Sequence, residues 1–311
     1  LFNDQPSVEG IATIAEAHRR FGSTGLLPTL ISDNLEVVRR GLDATREAIA
    51  QGIAGVIGIH IEGPFLNPDR RGVHDADRIR SLDWTVIEQL QPLDNGCTLL
   101  TLAPDRVEPG MIRALVDKGF IVSAGHSNAT REQLMAATDE GLRGVTHLYN
   151  AMSQLTAREP GMVGTALAED ELYCGIIADG HHVSRAAVDI AWRCKGSERL
   201  MLVTDAMPSA GTGIEEFMLQ GKRIRVKDGV CQDENGTLAG ASLDLASAMR
   251  NMTAMTSCSL GEAAAMASAA PANFLGLSHE RGSITAGKRA DLVVTDPALK
   301  VLETYIAGRK A

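Results

Sequence analysis

The sequence predicts an α/β fold of the (β/α)8 barrel type, on three observations. Short apolar runs alternate with helical patterns along most of the chain. The runs are continuously apolar rather than alternating, the mark of parallel strands buried on both faces. Five of them end in ionisable or metal-binding side chains: Glu62, His126, His147, then Asp179 with His181 and His182, then Asp205. A barrel of this class gathers its functional groups at the C-terminal ends of its strands.

The elements follow in order. Residues 8–21 set Val8, Ile11, Ile14, Ala15 and His18 at helical spacing. Gly25-Leu-Leu-Pro-Thr-Leu-Ile-Ser reads as a strand, and Asp33 or Asn34 caps a helix to about Gln51. A strand at 55–62 leads into a loop carrying Asp69-Arg-Arg-Gly-Val-His74. Helices near 82–91, 107–118 and 130–140 then alternate with strands at 97–103, 120–125 and 144–147. A strand at 173–178, a helix at 184–194 and a strand at 200–204 complete the series. With 26–31 and 55–62 this makes seven strands. A closed barrel needs eight, so the count closes if the first strand lies upstream of Leu1, where the chain starts without Met. An open doubly wound sheet competes, but it wants a glycine-rich turn after its first strand, and none is visible.

Beyond Asp205 the pattern changes. Phe217–Val230 reads as a β-hairpin turning at Gly221 and at Asp228-Gly229. Residues 243–255 and 260–270 read as helices, and Pro271 starts a shorter one. The tail from Gly282 reads as short strands. The expected organisation is a catalytic barrel over 1–280 and the remnant of a small β domain over 281–311.

Composition narrows the function classes. Hydrophobic residues at 44% and charged residues at 22% of 311 are ordinary for a globular protein. A net charge of −9 argues against nucleic-acid or anionic-membrane partners, and 4% aromatic residues leave little for a stacking platform. No apolar run approaches the roughly 18 residues of a membrane span. The five cysteines are odd in number and without a CxxC pair, so they read as reduced thiols of a cytoplasmic protein.

A carboxylate closing a buried strand is costly unless something pairs with it. For Glu62 alone a structural salt bridge would serve, but the recurrence along successive strand ends points to a site. Glu62, His126 and His147, each on its own strand, form an N/O donor set suited to a divalent ion such as zinc, with a position left open. His18 and His279 read as structural or surface residues, and His60 and His181 as neighbours rather than ligands. Asp205 closes the last strand. An Asp there can take a proton from water at the metal and pass it to a leaving nitrogen.

Five stretches carry a specific resemblance: His60-Ile-Glu-Gly-Pro-Phe, Ser123-Ala-Gly-His-Ser-Asn-Ala, Thr146-His-Leu-Tyr-Asn-Ala-Met, Ala178-Asp-Gly-His-His-Val and Leu202-Val-Thr-Asp-Ala. Taken in order, they resemble the N-acetylglucosamine-6-phosphate deacetylases of the amidohydrolase superfamily, from about Phe2 to the tail Gly287-Lys-Arg-Ala-Asp-Leu-Val. The resemblance implies a barrel of the amidohydrolase type that removes the acetyl group of N-acetylglucosamine-6-phosphate, in amino sugar catabolism or cell-wall recycling. It implies metal ligation by Glu62, His126 and His147, with zinc first and iron, manganese or cobalt as alternatives, at one or two ions per subunit. By matching position Asp205 is the base and then the acid, and His74 bonds the acetyl carbonyl or the sugar. Asn150, Ala151, Arg158 and His182 bind the phosphate, Arg158 reaching toward a neighbouring subunit of a homodimer. The loop over Leu238, Ala239 and Gly240 covers the acetyl group. Members often carry further ligands on the first barrel strand, so the number of metals is not legible here.

Two alternatives compete. A cyclic-amide or dipeptide hydrolase of the same superfamily would want a carbamylated Lys at a strand end, and no plausible one stands there. A non-catalytic scaffold would be expected to lose ligands or base, whereas Glu62, His126, His147 and Asp205 are all present.

Overall fold

A computed structural model describes residues 1–311, which divide into two compact units: Leu1–Ile14 with Gly25–Leu172, and Ala15–Thr24 with Tyr173–Ala311.

Helix α1 (Val8–Arg19) opens the chain. The first unit then runs β1 (Thr29–Ile31), α2 (Leu35–Ala50), β2 (Gly58–Glu62), α3 (Trp84–Gln89), β3 (Cys97–Leu102), α4 (Met111–Asp117), β4 (Ile121–Ala124), α5 (Arg131–Asp139), β5 (Gly144–Val145) and α6 (Gly161–Ala168). Its five strands pair in chain order and in parallel, with Ile31 opposite Glu62, Glu62 opposite Thr101, and Leu102 opposite Ala124. The strand ends are therefore level, and the loops that follow β2, β3 and β4 are neighbours. The strands are buried because helices cover them. Asn34 caps α2 by accepting from the Val37 N–H, and α2 turns Val38, Leu42, Thr45 and Ala48 inward at helical spacing. Thr130 and Gln133 form a reciprocal capping box at the start of α5.

The second unit holds β6 (Tyr173–Ile176), α7 (Arg185–Arg199) and β7 (Leu200–Leu202), with β6 and β7 parallel. An antiparallel sheet follows, β8 (Glu216–Leu219), β9 (Lys222–Lys227), β10 (Val230–Gln232) and β11 (Leu238–Ala241). Helices α8 (Leu245–Met255), α9 (Leu260–Ala267) and α10 (Ala269–Phe274) lead to a sheet of β12 (Leu292–Thr295), β13 (Val301–Ile306) and β14 (Arg309–Lys310).

All seven parallel strands expected from the sequence are present, five in the first unit and two in the second. Two departures have physical causes. Residues 238–242 do not form a free loop, because Leu238–Ala241 pairs with β10 as a fourth strand. Helix α6 escaped the sequence reading because it is buried over Gly161–Ala166 and lacks the polar face that marks an amphipathic helix. No helix is long and apolar enough to cross a membrane, and all five cysteines are free thiols.

Gly58 shows how closely the strands pack: a Cβ there would lie 2.1 Å from the Cys97 carbonyl oxygen. Gly58→Ala must push β3 away from β2, and overpacking of this kind costs about 1–3 kcal/mol. The expected result is a lower midpoint in denaturant unfolding, with an unchanged midpoint as the contrary result.

Candidate active site

Three strand ends build the core of the site. β2 ends at Glu62 itself, which is 4% exposed. β4 and β5 end short of His126 and His147, and the chain then turns through left-handed backbone at both, with φ 48° at His126 and φ 33° at His147. Residues other than glycine hold that conformation at a cost of about 1–3 kcal/mol, and only where the surroundings impose it. Here the Asn67 N–H donates to the His126 carbonyl, and the Asn150 N–H donates to the His147 carbonyl at 3.0 Å.

The result is a tight triangle. Glu62 Oε1 lies 2.9 Å from His126 Nε2 and 3.0 Å from His147 Nε2, and the two Nε2 atoms are 3.0 Å apart. His126 Nδ1 lies 2.8 Å from the Arg70 carbonyl oxygen, which can only accept. Nδ1 therefore carries a proton, and without a second one the ring presents an Nε2 lone pair to a carboxylate and a second imidazole. Acceptors meeting this closely repel unless a cation or extra protons lie among them. A divalent ion with bonds of about 2.0–2.2 Å accepts donors at such separations, so the residues fit the metal that their types suggested. Burial alone would raise the Glu62 carboxyl, but the His126 and His147 imidazoles against it hold it well below the usual carboxylate range. It is a carboxylate at neutral pH, as a ligand must be.

His74 is buried beside this group, its ring centre 4.6 Å from that of His126. The Ser32 N–H donates to His74 Nδ1 at 3.3 Å, and Ser32 Oγ lies 2.8 Å from the same atom. Nδ1 thus accepts, which leaves the proton on Nε2 of neutral His74 as a donor. His60 is not a ligand. It bonds Thr101 Oγ1 at 2.8 Å, Thr101 bonds Thr146 at 2.7 Å, and burial pushes the His60 imidazole down to about 4 against the opposing pull of Glu62.

In the same unit, Asn150 donates through Nδ2 to the His147 and Leu148 carbonyls at 3.3 Å, and Ala151 sits at φ 50°. Arg158 lies elsewhere. It is exposed and lines an open groove with Arg131, Glu132 and Asp139. Glu159 does not engage it, because that carboxylate accepts from the Arg131 and Gly161 N–H groups.

The second unit carries the remaining residues. Asp179 Oδ2 lies 2.6 Å from His182 Nδ1, and Asp179 Oδ1 accepts from the N–H groups of His181 and His182 at 2.8 Å. Burial would raise this carboxyl, yet these hydrogen bonds hold it below its ordinary range. Asp179 as the partner of His182 is a role the sequence reading missed, although it stands three residues away. Asp205 takes left-handed backbone (φ 47°), and its carbonyl accepts from the Ala241 N–H at 2.8 Å. Ala239 and Ala241 of β11 are buried. A Cβ at Gly240 would lie 2.8 Å from the Asp205 carbonyl oxygen and 2.6 Å from Met207 Cγ, so Leu238, Ala239 and Gly240 form a strand pressed against the Asp205 turn.

The profile of the Amidohydrolase family matches residues 2–311. The chain belongs to the amidohydrolase family. Among its amidohydrolase relatives, the N-acetylgalactosamine-6-phosphate deacetylase of Shewanella sp. (strain ANA-3) is 44% identical over 99% of this chain and 78% of its own length. The N-acetylglucosamine-6-phosphate deacetylase of Haemophilus influenzae is 36% identical over 99% of this chain and 81% of its own. In structure, the chain is similar to the N-acetylglucosamine-6-phosphate deacetylase of Pasteurella multocida, at 34% identity and a TM-score of 0.95, over 100% of this chain and 82% of that one. The likeness establishes the fold class that the strand count pointed to: the TIM-like barrel of the amidohydrolases with a small β domain.

Two outcomes follow from the site. Glu62→Gln removes the only negative charge from the donor triangle, and divalent affinity should fall at least about 10-fold in chelator competition; an unchanged affinity would remove Glu62 from the ligand set. The lowered Asp179 carboxyl contributes stability that is fully present above the ordinary carboxyl value of 3.8 and is lost as pH falls through its lower folded value. Asp179→Asn should flatten the pH dependence of unfolding in that acid window, and a profile of wild-type shape would contradict the pairing.

Proposed function

We infer that this chain hydrolyses the N-acetyl amide of N-acetylglucosamine-6-phosphate, giving glucosamine-6-phosphate and acetate. The observation that carries the reading is the buried Glu62–His126–His147 donor set, in a chain 36–44% identical, nearly end to end, to hexosamine 6-phosphate deacetylases.

Glu62, His126 and His147 would hold the ion, and zinc suits this mixed nitrogen and oxygen set. When bound, such an ion supplies Lewis acidity toward an amide carbonyl and a nucleophile at neutral pH. His74 offers its Nε2 proton to the acetyl oxygen. Asp205 accepts a proton from the attacking water as the new C–O bond forms. It then delivers that proton to the amide nitrogen as the C–N bond breaks, so that a neutral amine can leave. β11, through Leu238, Ala239 and Gly240, backs the acetyl group and fixes the turn that carries Asp205.

Asn150, Ala151, Arg158 and His182 are assigned to the phosphate. The Asp179 carboxylate, 2.6 Å from His182 Nδ1, fixes the direction of that imidazole, so that its other ring nitrogen can serve an anion. The exposure of Arg158, with no partner in its own chain, supports a homodimer in which its planar fork reaches the phosphate of the neighbouring subunit. The 44% identical relative named for the galactosamine epimer supports a second reading, in which the C4 hydroxyl configuration is the one preferred.

The test is kcat/KM for N-acetylglucosamine-6-phosphate, N-acetylgalactosamine-6-phosphate and free N-acetylglucosamine, with wild type and Arg158→Ala. The phosphorylated glucose epimer should be preferred over the free sugar by several orders of magnitude. Arg158→Ala should reduce the phosphorylated substrates roughly 10–150-fold while sparing the free sugar. Equal losses on both would remove Arg158 from the phosphate, and preference for the galactose epimer would select the second reading. Asp205→Asn should lower kcat about 10²–10⁴-fold with metal and substrate still bound. Loss of metal instead would reassign Asp205 as a ligand.

A further inference from the structure

His126 is held from the loop of another strand. The turn after β2, Asn67–Arg70, closes on it from two sides: the Asn67 N–H donates to the His126 carbonyl at 2.9 Å, and the Arg70 carbonyl accepts from His126 Nδ1 at 2.8 Å. The same turn reaches past the ligand, with Arg70 Nε donating to Asn128 Oδ1 at 2.5 Å. What fixes the turn itself is Asp105, in the single helical turn Pro104–Arg106 after β3. One of its carboxylate oxygens accepts from Asn67 Nδ2 at 2.5 Å, and the other accepts from the Ser127 hydroxyl. Asn67 is 6% exposed and Ser127 fully buried. Because β3 pairs with β2 on one side and β4 on the other, this single carboxylate joins the loops that follow the Glu62 strand and the His126 strand.

We propose that Asp105 is a positioning residue for the metal centre, fixing the tautomer and ring direction of His126 through Asn67 and Ser127. The proposal rests on the reading of Glu62, His126 and His147 as metal ligands. The chemistry of the brace demands an anion: Asn67 Nδ2 and Ser127 O–H both donate, Asn67 Oδ1 is committed to the Asp69 N–H, and Ser127 Oγ already accepts from the Ala129 N–H. A carboxylate satisfies both donors, whereas an amide at 105 presents its own N–H₂ to one of them. The turn then loosens, the Arg70 carbonyl drifts from Nδ1, and Nε2 no longer presents a fixed lone pair to the ion. Partners of this kind on a ligating His typically alter metal affinity 10–100-fold.

The experiment is competition for zinc between a chromophoric chelator and the full chain, as wild type, Asp105→Asn and Asn128→Ala, alongside the thermal midpoint of each metal-free protein. Asp105→Asn should weaken zinc binding about 10–100-fold, and activity should return at saturating zinc. Asn128→Ala, which cuts only the tether to Arg70, should weaken zinc by a smaller factor. It decides the matter if the first variant does not fold. A lowered midpoint with wild-type zinc affinity would make Asp105 merely structural and overturn the proposal, leaving the metal reading intact. A folded wild type that takes up no zinc, cobalt or manganese would overturn both.

Discussion

One buried carboxylate oxygen with two imidazole nitrogens within 3.0 Å of it is the constraint on which the first unit depends. Glu62 cannot be solvated, and the Nδ1 bond of His126 turns its Nε2 toward that carboxylate. Left to themselves these groups would separate or take up protons, so the surrounding chain must hold them together. It does so with level strand ends, with left-handed backbone at both histidines, and with a loop that grips His126 from behind. Strand register and loop bonding together keep the three donors at their separations.

Beneath the triangle the polar groups are neutral. His60, on the same face of β2 as Glu62, is kept uncharged by burial and joins hydroxyls from β3 and from the turn after β5 through Thr101 and Thr146. Within the triangle and the layer beneath it negative charge therefore belongs to Glu62, as a cation site requires. The second unit repeats the device at lower cost: Asp179 is buried, but His182 and two backbone N–H groups satisfy its oxygens.

Much of this was legible in the sequence, and for physical reasons. A strand covered on both faces must be continuously apolar, so the abrupt change to Glu62, His126, His147 and Asp205 marked the strand ends. Residue type alone then selected Glu62, His126 and His147 as candidate metal donors, and the structure brings those three together. What was hidden depends on contacts distant in sequence or on backbone angles. Nothing local shows that His126, His147 and Asp205 take positive φ, or that Asp105 faces Asn67 across 38 residues. Gly240 reads as a loop residue until its neighbour, the Asp205 carbonyl, is known. The exposed position of Arg158 is equally invisible, because a cation in a polar stretch looks the same whether it faces a substrate or solvent.

The central claim is that the Glu62–His126–His147 cluster holds a divalent ion that the hydrolysis of a phosphorylated N-acetyl sugar requires. The direct measurement is acetate release from N-acetylglucosamine-6-phosphate by the purified chain, before chelation, after chelation and after reloading with zinc, with metal content determined on each sample. The account predicts that release follows the bound metal, lost on stripping and regained on reloading. Full turnover in a sample shown to hold no divalent metal would contradict it.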